Sequence, residues 1–303
     1  MFKANTEQKT LEIHGVRFGG QPGQLPTVII PSLFNPRMKE VFDHRTGSFD
    51  KAKVQLYLKR VDKVSRETGN PYTVDIMATT PDAMIKYIEF VSKEMNEAPF
   101  LYDAIDPKTR ISTAKHLNSI GLQSRTIWNS VSLITSEDEF RVIAESKVKN
   151  VILQAFDRRD PSPKGSLAAL TRGGLLDRVK KAGAENILID VAVLDVPSMG
   201  ASAEAISLIR GEIGLPAGCA PANATYSWRA KRADLLRSNF GSCHAAACAI
   251  MQYNGANYLI TGPIKGARRV FKVCGMTDAM IAYVALSKGI KPLSKTHPIY
   301  RIL

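Results

Sequence analysis

Cysteine is scarce. The 303 residues include four, Cys219, Cys243, Cys248 and Cys274, and none forms a CxxC pair. A disulfide framework, a zinc ribbon and a thioredoxin-type redox motif are therefore not indicated. Buried free thiols in a reducing compartment are the expectation. Long apolar runs are also missing. No stretch approaches the length needed to span a bilayer, and no basic-then-apolar leader opens the chain, so the expected location is the cytoplasm, without membrane insertion. There is no zinc finger, no basic arm and no interleaving of aromatic with basic residues, so nucleic acid is not expected as a partner. Linkers and low-complexity segments are absent as well. The chain reads as one domain over residues 1–303, with residues 1–24 as a lead-in or short hairpin.

Acidic residues are outnumbered. Lys and Arg total 41 against 28 Asp and Glu, a formal charge of +13. The excess is spread over presumed helices, at Lys51, Lys53, Lys59, Arg60, Lys63, Lys180, Lys181, Arg229, Lys231 and Arg232. Such dispersion suits a solvated surface, and also an acidic protein partner or a polyanionic substrate.

Against these absences stands one rhythm. The strand-like stretches are Thr27–Leu33, Tyr72–Ala78, Pro99–Ile105, Arg125–Val131, Asn150–Phe156, Asn186–Val193, Leu215–Asn223 and Tyr258–Ile264. Each is followed by a helical pattern, after the first through a loop that leads to a helix from Asp50 to Thr68. Several helices open on an N-cap residue with Pro in the first turn, as at Thr80-Pro81 and Asp106-Pro107. One helix should run from the loop at Asp157–Lys164 to about Ala182, another from Ser202 to Gly211. A long one should cover Ala233 to Tyr253, and the last Arg268 to Lys288. About eight strand–helix units predict a closed (β/α)8 TIM barrel, with an open doubly wound sheet as the alternative.

Polar residues interrupt these strands. In Asn186-Ile-Leu-Ile-Asp190-Val-Ala-Val a carboxylate sits inside a near-continuous β-branched run, where a lone charge costs several kcal/mol unless paired. A backbone amide or an Arg could satisfy it. The same arrangement recurs, however, at Asp75, Asp103, Asn129, Gln154 and Asn223. Barrels assemble their sites at the C-terminal ends of several strands, so these six side chains should converge. The set contains carboxylates and amides but no His, Lys or Arg. It is a poor phosphate site and holds no Ser-His or Cys-His pair. Several Asp could hold a divalent metal, but the neutral amides dilute that case, and no tightly bound metal is expected. A carboxylate accepting two parallel N–H bonds suits an amino-pyrimidinone edge, as in pterins and purines.

Four stretches are similar to a known family. They are Gly15-Val-Arg-Phe-Gly-Gly-Gln-Pro-Gly-Gln-Leu-Pro-Thr-Val28, Glu67-Thr-Gly-Asn-Pro71, Val74-Asp75 and Pro216-Ala-Gly-Cys-Ala-Pro-Ala-Asn-Ala224. They resemble the H subunit of tetrahydromethanopterin S-methyltransferase, a family with bacterial relatives acting between corrinoid proteins and tetrahydrofolate. The resemblance runs through nearly the whole chain. It implies a pterin-binding barrel in which Asp75, Asp103, Asn129, Gln154 and Asp190 surround the pterin and Asn223 lies beside N5. At Asp195 the chain departs from the Asp-Pro-Leu pattern of the wider group.

The resemblance further implies methyl transfer between N5 of a reduced pterin and the cobalt of a corrinoid (cobalamin) carried by a partner protein. Tetrahydrofolate is favoured over tetrahydromethanopterin, because the chain begins and ends close to its barrel. A homodimer is the expected assembly. Asn223 is assigned the proton-handling role at N5 and, with Asp190, the catalytic part, because a carboxamide can either donate or accept. Two alternatives accompany this reading. One is a zinc-thiolate methyltransferase using Cys243, His244 and Cys248, although residues five apart on a helix point to different faces. The other is a non-catalytic pterin-binding module. The Gly262-Pro-Ile-Lys-Gly266 stretch reads as a plain turn, with a late-strand phosphate loop as the other possibility.

Overall fold

The computed structural model describes residues 6–95 and 98–302, so the first residues of the lead-in lie outside the described part. A hairpin of β1 (Thr10–Ile13) and β2 (Val16–Gly19) comes first, then β3 (Val28–Leu33) and a second small hairpin, β4 (Val41–Asp43) with β5 (Ser48–Phe49). The remaining strands are β6 (Val74–Met77), β7 (Phe100–Asp103), β8 (Thr126–Val131), β9 (Asn150–Ala155), β10 (Asn186–Val191), β11 (Ala217–Cys219) and β12 (Tyr258–Pro263). Strands β3 and β6 to β12 form a closed barrel in chain order, with β12 pairing back onto β3. All its pairs are parallel. The expected (β/α)8 architecture is the one observed.

Helices α1 (Lys51–Thr68), α2 (Pro81–Glu94), α3 (Pro107–Ser119), α4 (Glu137–Glu145), α5 (Pro163–Leu170) and α6 (Leu175–Lys181) are followed by α7 (Met199–Ile213), α8 (Pro221–Lys231), α9 (Ala233–Leu236), α10 (Phe240–Tyr253) and α11 (Ala267–Ser287). Side-chain caps start many of them. Asp50, Thr80, Asp106 and Ser162 accept first-turn N–H groups, and Ser136 forms a reciprocal capping box with Glu139. These caps supply partners for backbone donors that the first turn leaves unpaired.

Two cores result from the alternation of strand side chains. The outer core packs Ile76, Tyr102, Trp128, Leu153 and Ile189 against the helices. The inner core fills the barrel with Val28, Ile30, Leu101, Ile127, Ile152, Leu188 and Tyr258, and Ile13, Val16 and Phe18 of the first hairpin join it. The lead-in hairpin is therefore a plug at the N-terminal end of the barrel.

Several boundaries differ from expectation. The helix read up to Ala182 is two helices, α5 and α6, separated at Thr171–Gly174, where Gly174 adopts φ 73°. The helix read over Ala233–Tyr253 is likewise broken, into α9, a 3-10 turn at Arg237–Asn239 and α10. The strand read over Leu215–Asn223 ends at Cys219, because Pro221, with its fixed φ, begins α8. The β4–β5 hairpin occupies a stretch read as a loop. Contrary to the reading of apolar runs, the segment Ile264–Ser287 has the length and composition of a membrane span. It is the last helix of the barrel, with Val270, Phe271, Cys274 and Ile281 buried in the core.

Candidate functional site

The inner core ends in a polar layer two residues further along five of the strands. Ile30 is followed by Ser32, Leu101 by Asp103, Ile127 by Asn129, Ile152 by Gln154 and Leu188 by Asp190, and Asp75 sits at the same level on β6. Strand register aligns them: Ser32 pairs with Asp75, Asp103 with Asn129, and Gln154 with Asp190. The period of two thus sets a polar floor directly on an apolar one. Above it opens a cavity of about 1450 Å³ at the C-terminal end of the barrel, lined by Asp75, Asp103, Asn129, Gln154, Asp190 and Asn223. All six predicted site residues meet there.

Asn223 arrives by a different route from the one expected. It is not on a strand; it is the third residue of α8 and reaches the cavity from that helix's first turn. Asp195 stays out of the cavity. Its carboxylate accepts the Ser198 N–H at 2.9 Å and caps the loop after β10.

Electrostatics on the floor are unusual. Asp75 is buried and accepts hydrogen bonds from Ser32 Oγ at 3.1 Å and from Asn129 Nδ2 at 3.3 Å. Burial pushes its carboxyl up to about 6, even though both hydrogen bonds favour the charged form. Burial, and then the charge of Asp75, push Asp190 up to about 8. The same two causes hold Asp103 well above the usual carboxylate range, with Arg110 opposing them. Asp190 Oδ1 has no hydrogen-bond partner. Three carboxyl groups that resist ionising together form a receptor for N–H donors.

The wall of the cavity is different in character. His244 of α10 is bonded at both ring nitrogens, with Nε2 3.0 Å from the Thr261 carbonyl and Nδ1 2.8 Å from Thr225 Oγ1. A carbonyl only accepts, so Nε2 carries the hydrogen and Nδ1 accepts from Thr225. Burial lowers the pKa of His244, consistent with a neutral ring. The ring stacks on Phe240 and meets Tyr226 edge-on. In this way α10 braces the turn of α8 that bears Asn223. Arg37, Lys39, Arg229, Lys265 and Arg269 line the outer wall. Arg229 lies over the Phe240 ring at 4.7 Å, and Lys265 Nζ binds Glu40 Oε1 at 2.8 Å.

Ser32, Tyr226, His244 and the basic residues at 37, 39, 265 and 269 are site residues that the sequence pattern does not single out. For Ser32 a signal exists, since it is a polar residue at an inward strand position. For the others no periodic signal exists, because loops and helices bring them in. Cys243 is partly exposed while Cys248 is buried, as their spacing implied, and Cys248 Sγ lies 3.9 Å from His244 Nε2. Among the described residues, no group of three or more His, Cys, Asp or Glu is placed to hold a metal ion. The Gly262–Gly266 stretch is the end of β12 followed by a 3-10 turn on the cavity wall.

Solved structures similar to this one include dihydropteroate synthases. One from Yersinia pestis, in complex with a sulfonamide drug, matches with a TM-score of 0.62 at 11% identity, over 91% of this chain and 100% of that one. A Coxiella burnetii dihydropteroate synthase with pteroic acid matches at 0.59 and 15%, over 89% and 98%. At such identities the likeness concerns the fold. Sequence relatives are nearer. The H subunit of tetrahydromethanopterin S-methyltransferase from Methanothermobacter thermautotrophicus is 31% identical, and that from Methanococcus aeolicus 33%, each over the full length of both chains. The H subunit of a putative mtx methyltransferase from Methanosarcina barkeri is 31% identical over 99% of each. Residues 6–293 match the family described as tetrahydromethanopterin S-methyltransferase MtrH subunit. With that match over most of its length, the chain belongs to the MtrH family of methyltransferase subunits.

Proposed function

We propose that this protein transfers a methyl group between N5 of a tetrahydropterin on the cavity floor and the cobalt of a corrinoid presented by a separate protein. The observation that carries this reading is the floor itself. Asp75, Asp103 and Asp190 face one cavity, all with raised pKa values, and Asp190 keeps an oxygen without a partner. An amino-pyrimidinone supplies parallel N–H donors to such carboxylates, and Asn129 and Gln154 can bond the ring's remaining polar edge. The family supplies methyl transfer as the reaction.

With the ring held by the floor, Asn223 approaches from the first turn of α8. When the pterin is donor, the N5–methyl bond breaks and N5 keeps the electron pair, so a proton or hydrogen bond there makes N5 the better leaving group. When the pterin accepts, N5 attacks with its lone pair as the cobalt–methyl bond breaks, and the carboxamide oxygen can accept a hydrogen bond from the N5–H, whose proton then leaves to solvent. The large opening of the cavity leaves the corrinoid free to approach, and the Asp side chains orient the pterin for in-line transfer.

The relatives are named as parts of a larger enzyme, which supports placing the corrinoid on another chain. Their names specify tetrahydromethanopterin, while the sequence reading favours tetrahydrofolate. Titration calorimetry with both pterins, alongside single-turnover transfer with methylcobalamin, tests the proposal. Saturable binding with transfer supports it. Binding without transfer under either pterin would leave a pterin-binding module, and tighter binding of tetrahydromethanopterin would remove the folate preference. The same reading makes the protein a cytoplasmic homodimer. Its reduced thiols fit that compartment, and the uncharged outer face of α10 and the second half of α11, with Ile250, Met276, Met280 and Tyr283 exposed, fits a second copy.

A further inference from the structure

The mouth of the barrel carries two unlike sets of side chains. The basic residues of the cavity wall belong to adjacent units of the closed barrel: Arg229 follows β11, Lys265 and Arg269 follow β12, and Arg37 and Lys39 follow β3. The loops after β7 and β8 lie across the ring from that arc, and the loop after β10 borders it beside β11. At their tips stand Ile105, 97% exposed, Ile134, 90% exposed, and Leu194, 55% exposed. Single apolar residues on a surface are ordinary. These three are less so, because all follow C-terminal strand ends and so share the face that bears the cavity.

None of them has a visible task within the fold. Ile105 directly precedes the N-cap Asp106 of α3, where an apolar residue commonly packs on the fourth helical residue. Here that residue is Arg110, and its guanidinium turns to the Ile105 carbonyl at 3.0 Å. In the loop after β8, Leu133 packs against the core and leaves its neighbour Ile134 in solvent. The tips are also held still. Ser132 N–H donates to Thr135 Oγ1 at 2.8 Å, and Asp195 N–H donates to Ser198 Oγ at 3.0 Å. Rigid apolar tips lose little entropy when covered, which favours binding over mere exposure.

We infer that the barrel mouth is a two-part docking face for an acidic, corrinoid-carrying protein, with Arg37, Arg229 and Arg269 steering it and Ile105, Ile134 and Leu194 anchoring it. This rests on the methyl-transfer reading above and adds the partner's chemistry: an acidic flank meeting the basic arc, and an apolar collar meeting the tips. Charge complementarity selects that occupant. A second copy of this chain carries the same +13 charge and would set like charges against the arc, whereas an acidic carrier would not. Apolar contacts then slow dissociation, while the charges act mainly on encounter.

The test uses the full-length protein and two methyl donors: free methylcobalamin, and a methylated corrinoid protein with which the wild type gives saturable transfer. The triple variant I105S/I134S/L194S removes the anchors without touching the cavity. Its KM for the corrinoid protein should rise about 10- to 100-fold, with transfer from free methylcobalamin unchanged. R269E should instead lower the association rate and flatten its dependence on salt. Unchanged KM in the triple variant would overturn the anchoring role. So would a change in sedimentation of the protein alone with KM unaltered, which would assign the tips to self-association. Absence of transfer from free methylcobalamin by the wild type would count against the methyl-transfer reading, and not against the docking face.

Discussion

Asp190 is a carboxylate that the folded chain, without a ligand, does not satisfy. Oδ1 has no partner, and burial together with Asp75 holds the group at about 8. A raised carboxyl pKa means that the folded protein binds a proton the unfolded chain releases near its ordinary value. Stability from this group is therefore complete at low pH and is lost as pH rises towards 8. Asp190→Asn, which needs no proton, should raise the thermal midpoint of the ligand-free protein by a few degrees at pH 8, about 1–2 kcal/mol. The gain should shrink towards pH 4. Calorimetric scans of both proteins across this range check it, and a gain independent of pH would mean that Asp190 does not titrate there. Asn223 has a separable part. It is proposed to touch the one pterin atom whose bonding changes, so its loss should appear in turnover. Asn223→Ala should slow single-turnover transfer by roughly 10²- to 10⁴-fold while pterin affinity falls less than about tenfold, because the floor remains. Full recovery at saturating pterin would remove Asn223 from the chemistry.

At the scale of elements, the first hairpin and α8 do opposite jobs. The hairpin closes the far end of the barrel. Phe18 is fully buried and meets Tyr258 edge-on, with ring centroids 6.3 Å apart. Phe18→Ala should destabilise the protein by about 3–4 kcal/mol through lost burial and the cavity left behind, read by urea denaturation. Pterin affinity of the folded variant should change by less than about twofold, since the polar floor rests on other side chains; a larger loss would show that the plug sets the floor's geometry. Helix α8, by contrast, is short, begins at a proline, and is tied to the rest of the molecule through Thr225 and His244. Strand alternation made the floor readable from sequence: Asp75, Asp103, Asn129, Gln154 and Asp190 each replace an inward aliphatic. Helix α8 was not readable in the same way. Three small residues before Pro221 look like a strand, and only the proline indicates that a helix starts there.

The whole molecule carries an excess of positive charge, yet the outer face of α10 and the second half of α11 has none exposed. From Phe240 to Tyr253 there is no Asp, Glu, Lys or Arg, and from Val273 to Ser287 only the buried Asp278. In a molecule of this charge an uncharged patch is where two copies can meet without repulsion. Met280→Glu should therefore shift the protein towards monomer in sedimentation velocity while leaving pterin binding intact. A variant that sediments as the wild type would exclude this face from the assembly.

Repetition is what the sequence determined unaided. Eight apolar strands alternating with helices can bury both faces of a parallel sheet only with helices around it, and closure removes the edges. The same alternation that faces an aliphatic inward faces Asp or Asn inward two residues later, so the floor followed from period alone. The wall did not. His244, Tyr226, Arg269 and Asn223 reach the cavity from helices and turns whose direction depends on packing around the ring, and the contacts joining them are long-range. The raised pKa values likewise needed three dimensions, because desolvation and the field of Asp75 depend on which carboxylates the closed barrel brings face to face.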